Sequence, residues 1–155
     1  MRNIPTVTKN LLIINVLAYL VGMVFGIHSG GFNDLFGLHF FLAPDFGVYQ
    51  LVTYMFMHAS LSHLFFNMFA LWMFGCIVER TWGARKFLFY YMACGIGAGL
   101  LQEVAQFVQF YMLAAENIHG FSVSQIMTVA KASAAGINLW TTVGASGAIY
   151  GILLA

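Results

Sequence analysis

Long apolar runs alternate with short, turn-rich connections along this chain, and the alternation predicts four membrane-spanning helices. Leu11–Ile27 (LLIINVLAYLVGMVFGI) is a 17-residue apolar stretch, just long enough to cross a hydrocarbon core of about 30 Å as a helix. Leu64–Val78 is apolar except for Asn67, and Ser60 or Ser62 is placed to cap the helix that carries it, so a second span is predicted over 61–79. Phe87–Leu101 is apolar again, with Gly95, Gly97 and Gly99 as a small face suited to close helix contact. This third span, 87–109, shades into Gln102, Glu103, Gln106 and Gln109. Positions 102, 106 and 109 share one helical face, which predicts a helix continuing past the bilayer or lining a wet interior. The fourth span runs from Val143 to Ala155. At 1.5 Å per residue it covers only about 20 Å of a core of about 30 Å, and a chain end there leaves the last carbonyls without partners. The expectation is a single membrane domain over 1–155, cut within the fourth span, from a longer protein.

The connections differ in character. Residues 28–50 contain the breakers Gly30, Gly31, Asp34, Pro44 and Asp45 among Phe32, Phe36, Phe40, Phe41, Phe46 and Tyr49, as suits a loop lying at headgroup level. Residues 116–142 are moderately polar. There Ser122-Val123-Ser124-Gln125 predicts a capping box opening a short helix that Gly136 closes, and the sequence assigns this loop no function.

Composition removes the soluble alternatives. The chain is 61% hydrophobic and 7% charged, with sixteen Phe against six Lys plus Arg, too little charge to cover a globular surface. The fold class expected is all-α, a polytopic membrane helical bundle. A net charge of +1 with no basic run gives no indication of a nucleic-acid partner. Cys76 and Cys94 lie inside apolar spans without metal or disulfide spacing and read as small packing residues. Arg2 and Lys9 precede the first span, but no convincing cleavage site follows, so that span is expected to be retained. Arg80, Arg85 and Lys86 follow the second span and residues 28–50 contain no Lys or Arg, which predicts a cytoplasmic amino terminus with loops 28–50 and 116–142 outside; Lys131 alone runs against this. A short amino terminus without a transit signal suggests a bacterial inner membrane.

The chemistry sits in two clusters. Gly144-Ala145-Ser146-Gly147, followed by Tyr150 and Gly151, places one hydroxyl among small residues. These leave the Oγ open and let backbone amides approach a developing oxyanion, as a nucleophile requires, although the same residues also suit close helix packing. The soluble hydrolase elbow Gly-x-Ser-x-Gly does not fit, because Ala148 stands at the second glycine. His58, His63 and Asn67 form the other cluster, and polar groups at membrane depth are costly and rarely idle. His63 and Asn67 are four apart, on one helical face. No carboxylate accompanies the histidines in metal-ligand spacing, so no metal or other cofactor is expected. That leaves interhelical bonding or donation to an oxyanion.

The run Gln50 to His58, His63, Asn67, Gly75 and Glu79, together with Gly144-Ala145-Ser146-Gly147 and Tyr150, resembles the rhomboid intramembrane serine proteases. The resemblance covers most of 11–101 and 143–151; residues 116–142 add nothing to it. It implies a six-span helical core that opens to the outside and cuts transmembrane substrates with a serine–histidine dyad. Ser146 would be the nucleophile. His63 and Asn67, with the Ser146 amide, would form the oxyanion hole. His58 would be a hydrogen-bonding support for the outer loop, Gly144 and Gly147 would be supporting small neighbours of Ser146, and Tyr150 would pack against the dyad histidine. Tyr49-Gln50 stands where some members carry Trp-Arg. The dyad histidine belongs to the sixth span and is not present in this chain: His28, His39 and His119 lie in loops, while His58 and His63 have other roles. The 155 residues alone are therefore expected to be inactive, and the parent protein to be the protease. An alternative is a catalytically inactive rhomboid-like protein that binds transmembrane clients through the same groove. A transporter fits less well, because the polar residues gather at one face and Glu103 is the sole candidate intramembrane carboxylate. Expected partners are transmembrane substrates and the lipid bilayer, with no nucleic acid; substrate identity and oligomeric state are not legible.

Overall fold

A computed structural model describes residues 3–26 and 31–155. Arg2, His28, Gly30 and the end of the first predicted span at Ile27 lie outside the described residues. Helix α1 (Thr6–Phe25) is followed by a short helix α2 (Phe32–Phe36), a two-residue strand β1 (Leu38–His39), helix α3 (Gln50–Thr53) and a 3₁₀ turn over Tyr54–Phe56. Helix α4 (Leu61–Ala70), a π-helical turn over Leu71–Gly75 and α5 (Cys76–Trp82) form one continuous rod. Helix α6 (Ala84–Asn117) comes next, then a 3₁₀ turn over Val123–Gln125, α7 (Ile126–Ala132), α8 (Ala134–Ile137), strand β2 (Thr141–Thr142) and α9 (Ser146–Leu153). The architecture is all-α. Thr6–Phe25, Leu61–Trp82 and Ala84–Asn117 are long and apolar enough to cross a membrane, and residues such as Leu17, Leu20, Phe66, Phe69 and Leu101 point outward, as lipid-facing side chains do.

Several boundaries differ from those the hydrophobic pattern predicts, each for a local reason. Helix α1 starts at Thr6 rather than at Leu11 because a distant carboxylate caps it. Glu79 on α5 accepts from Val7 N at 2.9 Å, Thr8 N at 2.7 Å and Thr8 Oγ1 at 2.8 Å, so amides that would be orphaned at a helix start are satisfied from another helix. Helix α6 takes up the Arg85-Lys86 connection and runs through Asn117, 34 residues in one piece, or about 51 Å. On it Gln106 is buried beside Glu103, whereas Gln102 and Gln109 are exposed, so the three glutamines do not act as one face. Of the three glycines on α6, Gly95 approaches the Met55 side chain and Gly99 approaches Tyr54, while Gly97 has nothing within 4 Å. The close-contact face is therefore spaced by four residues, one helical turn.

Ser60 rather than Ser62 caps α4, accepting from His63 N at 3.2 Å. The capping box at Ser122 and Gln125 forms as expected. Gly136, however, lies inside α8 and does not close the preceding helix, which breaks at Ser133.

Two apolar clusters hold the bundle. The larger joins Leu11, Tyr19, Tyr54, Met55, Leu64, Leu71, Phe87 and Tyr91 to Ala145, just before the last helix, and to Ala148, Ile149 and Ile152 within it. The smaller joins Phe40 and Ala43 of the first loop to Phe110 of α6 and to Ile126, Ala130 and Ile137 of the 116–142 segment. That segment is thus packed onto the first loop, and antiparallel pairing of Leu38 with Thr142 and His39 with Thr141 ties the two together. Gln50 organises the first loop from within: its Oε1 accepts from His39 N at 3.2 Å and Gly47 N at 3.1 Å, and its Nε2 donates to Asp45 O at 2.9 Å and Leu35 O at 3.3 Å.

Candidate active site

Ser146 is the first residue of α9, and the residues before it explain why the helix starts there rather than at Val143. The chain leaves β2 at Thr142 and turns at Gly144, whose φ of 123° lies where a side chain is strained. Gly144 N donates to Tyr54 O at 2.9 Å, which anchors the turn to the bundle. The first intrahelical bond beyond it runs from Ile149 N to Ala145 O at 3.0 Å. The amides at the start of α9, Ser146's among them, precede any intrahelical partner and carry the positive end of the helix dipole.

The turn sits directly against the polar residues of α4. A Cβ placed on Gly144 would lie 2.7 Å from both Cε1 and Nε2 of His63 and 3.6 Å from Asn67 Nδ2. Backbone two residues before Ser146 therefore touches the edge of the His63 ring, with Asn67 one turn further along the same helix. Asn67 Nδ2 is buried and has no hydrogen-bond partner among the described residues. A desolvated, unbonded amide donor costs about 1–3 kcal/mol. Glycine is also required further along α9: a Cβ on Gly147 would run into Ala98, and one on Gly151 into Cys94. The cysteine is thus a small residue at a close helix contact.

His58 stands behind His63. It is 1% exposed, and its ring meets the His63 ring edge-on with centroids 5.1 Å apart. His58 Nδ1 lies 3.3 Å from Phe56 O and is placed to donate to it. Burial first, and the neighbouring His63 second, lower its pKa from the ordinary 6.5 to about 4, so the ring is neutral near pH 7. Its link to the first loop runs through the backbone, where His58 O accepts from Asn33 Nδ2 at 3.0 Å. Tyr150, one turn beyond Ser146, is 68% exposed.

The structure thus brings Gly144, His63 and Asn67 into contact at the start of the Ser146 helix, with His58 packed behind. Two further participants carried no sequence signal. Tyr54 holds the Gly144 turn with its carbonyl and donates its hydroxyl to Gly95 O at 2.6 Å; a tyrosine in an aromatic-rich stretch gives no hint of either. His39 and Asn138, distant in sequence, meet beside β2 through His39 Nδ1 and Asn138 O at 2.9 Å.

A Rhomboid domain family model matches residues 45–155, from the first loop to the Ser146 helix. The chain belongs to the rhomboid family. Rhomboid protease AarA of Providencia stuartii is 32% identical over 154 residues, covering 96% of this chain and 48% of that protein. Rhomboid protease GluP of Bacillus subtilis is 40% identical over 60 residues, covering 39% of this chain and 11% of its own. Rhomboid protease GlpG of Haemophilus influenzae is 27% identical over 102 residues, covering 63% of this chain and 53% of its own. The chain thus spans about half the length of AarA and GlpG and about a tenth of GluP. Family membership and the three long apolar helices make this rhomboid a multi-pass membrane protein with an all-α polytopic bundle.

Proposed function

We propose that the protein to which this chain belongs is an intramembrane serine endopeptidase that cleaves transmembrane substrates near the outer membrane face. The observation carrying the reading is the approach of the Gly144 turn to His63 and Asn67, with 2.7 Å and 3.6 Å to a hypothetical Cβ. It sets the helix start that bears the one hydroxyl of the motif beside two side-chain donors. In this reading Ser146 Oγ attacks the scissile carbonyl. The Ser146 amide, Asn67 Nδ2 and the His63 ring then donate to the oxyanion of the tetrahedral intermediate, which is where preorganised donors lower a barrier most. Gly144 and Gly147 allow the approach, His58 buttresses the His63 ring, and Tyr150 is the surface against which the dyad histidine rests.

A serine hydroxyl near neutral pH needs a general base. We assign that role to a histidine on a sixth span, outside residues 1–155, which takes the Ser146 proton and returns it to the leaving amine. Residues 1–155 by themselves are then inactive. The distribution of Lys9, Arg80, Arg85 and Lys86 supports a cytoplasmic amino terminus, with the site opening outward; the short amino terminus without a transit signal is the ground for assigning a bacterial inner membrane. The test is cleavage of a transmembrane reporter by the full-length protein in proteoliposomes: Ser146→Ala is expected to abolish product. Undiminished cleavage by that variant refutes the assignment. Client helices that co-purify equally with wild type and Ser146→Ala, without products from either, point instead to a client-binding protein.

A further inference from the structure

One buried carboxyl outside the site is only half used. Glu103 of α6 is 7% exposed, and its Oε2 accepts from Phe41 N of the first loop at 2.7 Å. Its Oε1 is buried and has no hydrogen-bond partner among the described residues. Nor does any Lys or Arg among the described residues form an ion pair with it. Lys86, on the same helix, lies 17 residues back (103 less 86), or about 25 Å along the axis. His39 is within electrostatic reach, but its ring nitrogens already face Asp34 O, Asn138 O and Thr141 Oγ1. A buried carboxyl oxygen without a donor is costly, and more so when it carries charge.

The same residue lines an apolar groove of about 410 Å³ between the first loop and α6. Phe41, Phe46 and Leu51 form the loop wall, and Leu100, Val104 and Phe107 form the helix wall. Its volume is that of a small-ligand site. The helix wall belongs to a helix long and apolar enough to cross a membrane, and Leu100 and Val104 are 51% and 61% exposed on the outside of the bundle. What enters the groove therefore comes from the bilayer. Depth narrows the choice further. A hydrocarbon core of about 30 Å that begins near Arg85 and Lys86 ends close to Glu103, so the groove lies where acyl chains give way to headgroups.

The occupant needs an apolar body for the walls, a hydrogen-bond donor for Oε1 and a positive charge to pair with the carboxylate. A bare divalent cation has no use for six apolar side chains. A choline headgroup is charged but has no N–H, and a glycerol headgroup donates but has no positive charge. A primary ammonium on a lipid meets all three needs, through a charge-assisted hydrogen bond. We propose that this groove binds one phosphatidylethanolamine, its ammonium donating to Glu103 Oε1 and an acyl chain lying between the first loop and α6. Because Oε2 of the same carboxylate holds Phe41 N, the bound lipid also braces the first loop against α6. The proposal does not depend on the protease reading.

The experiment offers the full-length protein, in nanodiscs, an equimolar mixture of phosphatidylethanolamine, its N,N-dimethyl derivative, phosphatidylcholine and phosphatidylglycerol with identical acyl chains. The protein is then released into mild detergent, and the lipid it retains is weighed by native mass spectrometry. One retained phosphatidylethanolamine is expected, preferred by about tenfold or more over phosphatidylcholine and phosphatidylglycerol, as one charge-assisted hydrogen bond allows, with the dimethyl derivative between. Glu103→Gln keeps an acceptor for Phe41 N but loses the charge, and is expected to bring that preference below about twofold. Val104→Trp fills the groove and leaves the carboxylate, and is expected to lower retention of every lipid by about fivefold or more.

Phosphatidylcholine or phosphatidylglycerol retained by wild type as well as phosphatidylethanolamine overturns the ammonium assignment. Retention that neither variant changes overturns the site. Should Glu103→Gln fail to fold, Val104→Trp alters an exposed position and decides the matter alone. The readout is the mass of a lipid, so absence of reporter cleavage would sink the protease reading and leave this one standing.

Discussion

Gly144→Ala in the full-length protein tests the geometry of the site more sharply than removal of the nucleophile. At φ 123° an added side chain costs about 1–3 kcal/mol in backbone strain. Its Cβ, 2.7 Å from two atoms of the His63 ring, adds an overpacking penalty of about 1–3 kcal/mol unless the turn and ring separate. His63 is braced from behind by the His58 ring at 5.1 Å, so the turn is what moves. A shift of about 1 Å between reacting groups costs about a hundredfold in rate. The expectation is therefore a loss of at least about a hundredfold in kcat. Two controls separate the contributions. Gly120 also has a positive φ, 74°, but nothing within 4 Å, so Gly120→Ala carries strain without a clash and is expected to lower stability while leaving kcat within about twofold. Gly97 is helical and open, and Gly97→Ala is expected to stabilise by up to about 1 kcal/mol. The assay is reporter cleavage in proteoliposomes, with thermal unfolding measured on the same preparations. Gly144→Ala cleaving within about threefold of wild type would refute the argument that this turn and His63 share one tight contact.

Three further outcomes follow from the same structure. Asn67→Ala removes the unpaired buried donor and is expected to lower kcat by about 10²–10³, as loss of one oxyanion donor does, while raising or leaving unchanged the melting temperature, because an unsatisfied group is deleted; a fall in stability with kcat intact would assign Asn67 to packing. Glu79→Ala strands the amides of Val7 and Thr8 at the start of α1 and is expected to destabilise by about 3–4 kcal/mol, read by thermal unfolding, without altering kcat per folded molecule. His58, whose pKa is lowered to about 4 in the folded protein against an ordinary value near 6.5, binds a proton less readily folded than unfolded. Its contribution to stability is therefore complete above about pH 6.5 and declines as pH falls towards 4. His58→Gln should flatten that part of a stability–pH curve, and an unchanged slope would contradict the burial argument.

The class of this protein was decided by composition and period alone. A chain with 61% hydrophobic and 7% charged residues has no soluble solution. Three of its apolar runs are long enough that each helix satisfies its own backbone in lipid, which is a local requirement and so a legible one. A serine cap for α4, at Ser60 or Ser62, and the shared face of His63 and Asn67 were legible for the same reason, because both depend on spacing within one turn. The helix ends were not. The start of α1 is set by Glu79 more than seventy residues away, and the start of α9 by a glycine whose conformation is fixed by Tyr54 O and by the ring of His63.

Residues 116–142, to which the sequence assigns nothing, acquire a place only when Phe40, Phe110 and Ile137 meet in one cluster and His39 reaches Asn138. A lone histidine in an aromatic loop carries no periodic signal, and its two backbone partners, Asp34 O and Asn138 O, come from different segments. Sequence fixed which residues had to enter the membrane, since transfer free energy belongs to each segment separately. Which polar groups meet there is a matter of distance between segments, and only the packed fold sets that distance.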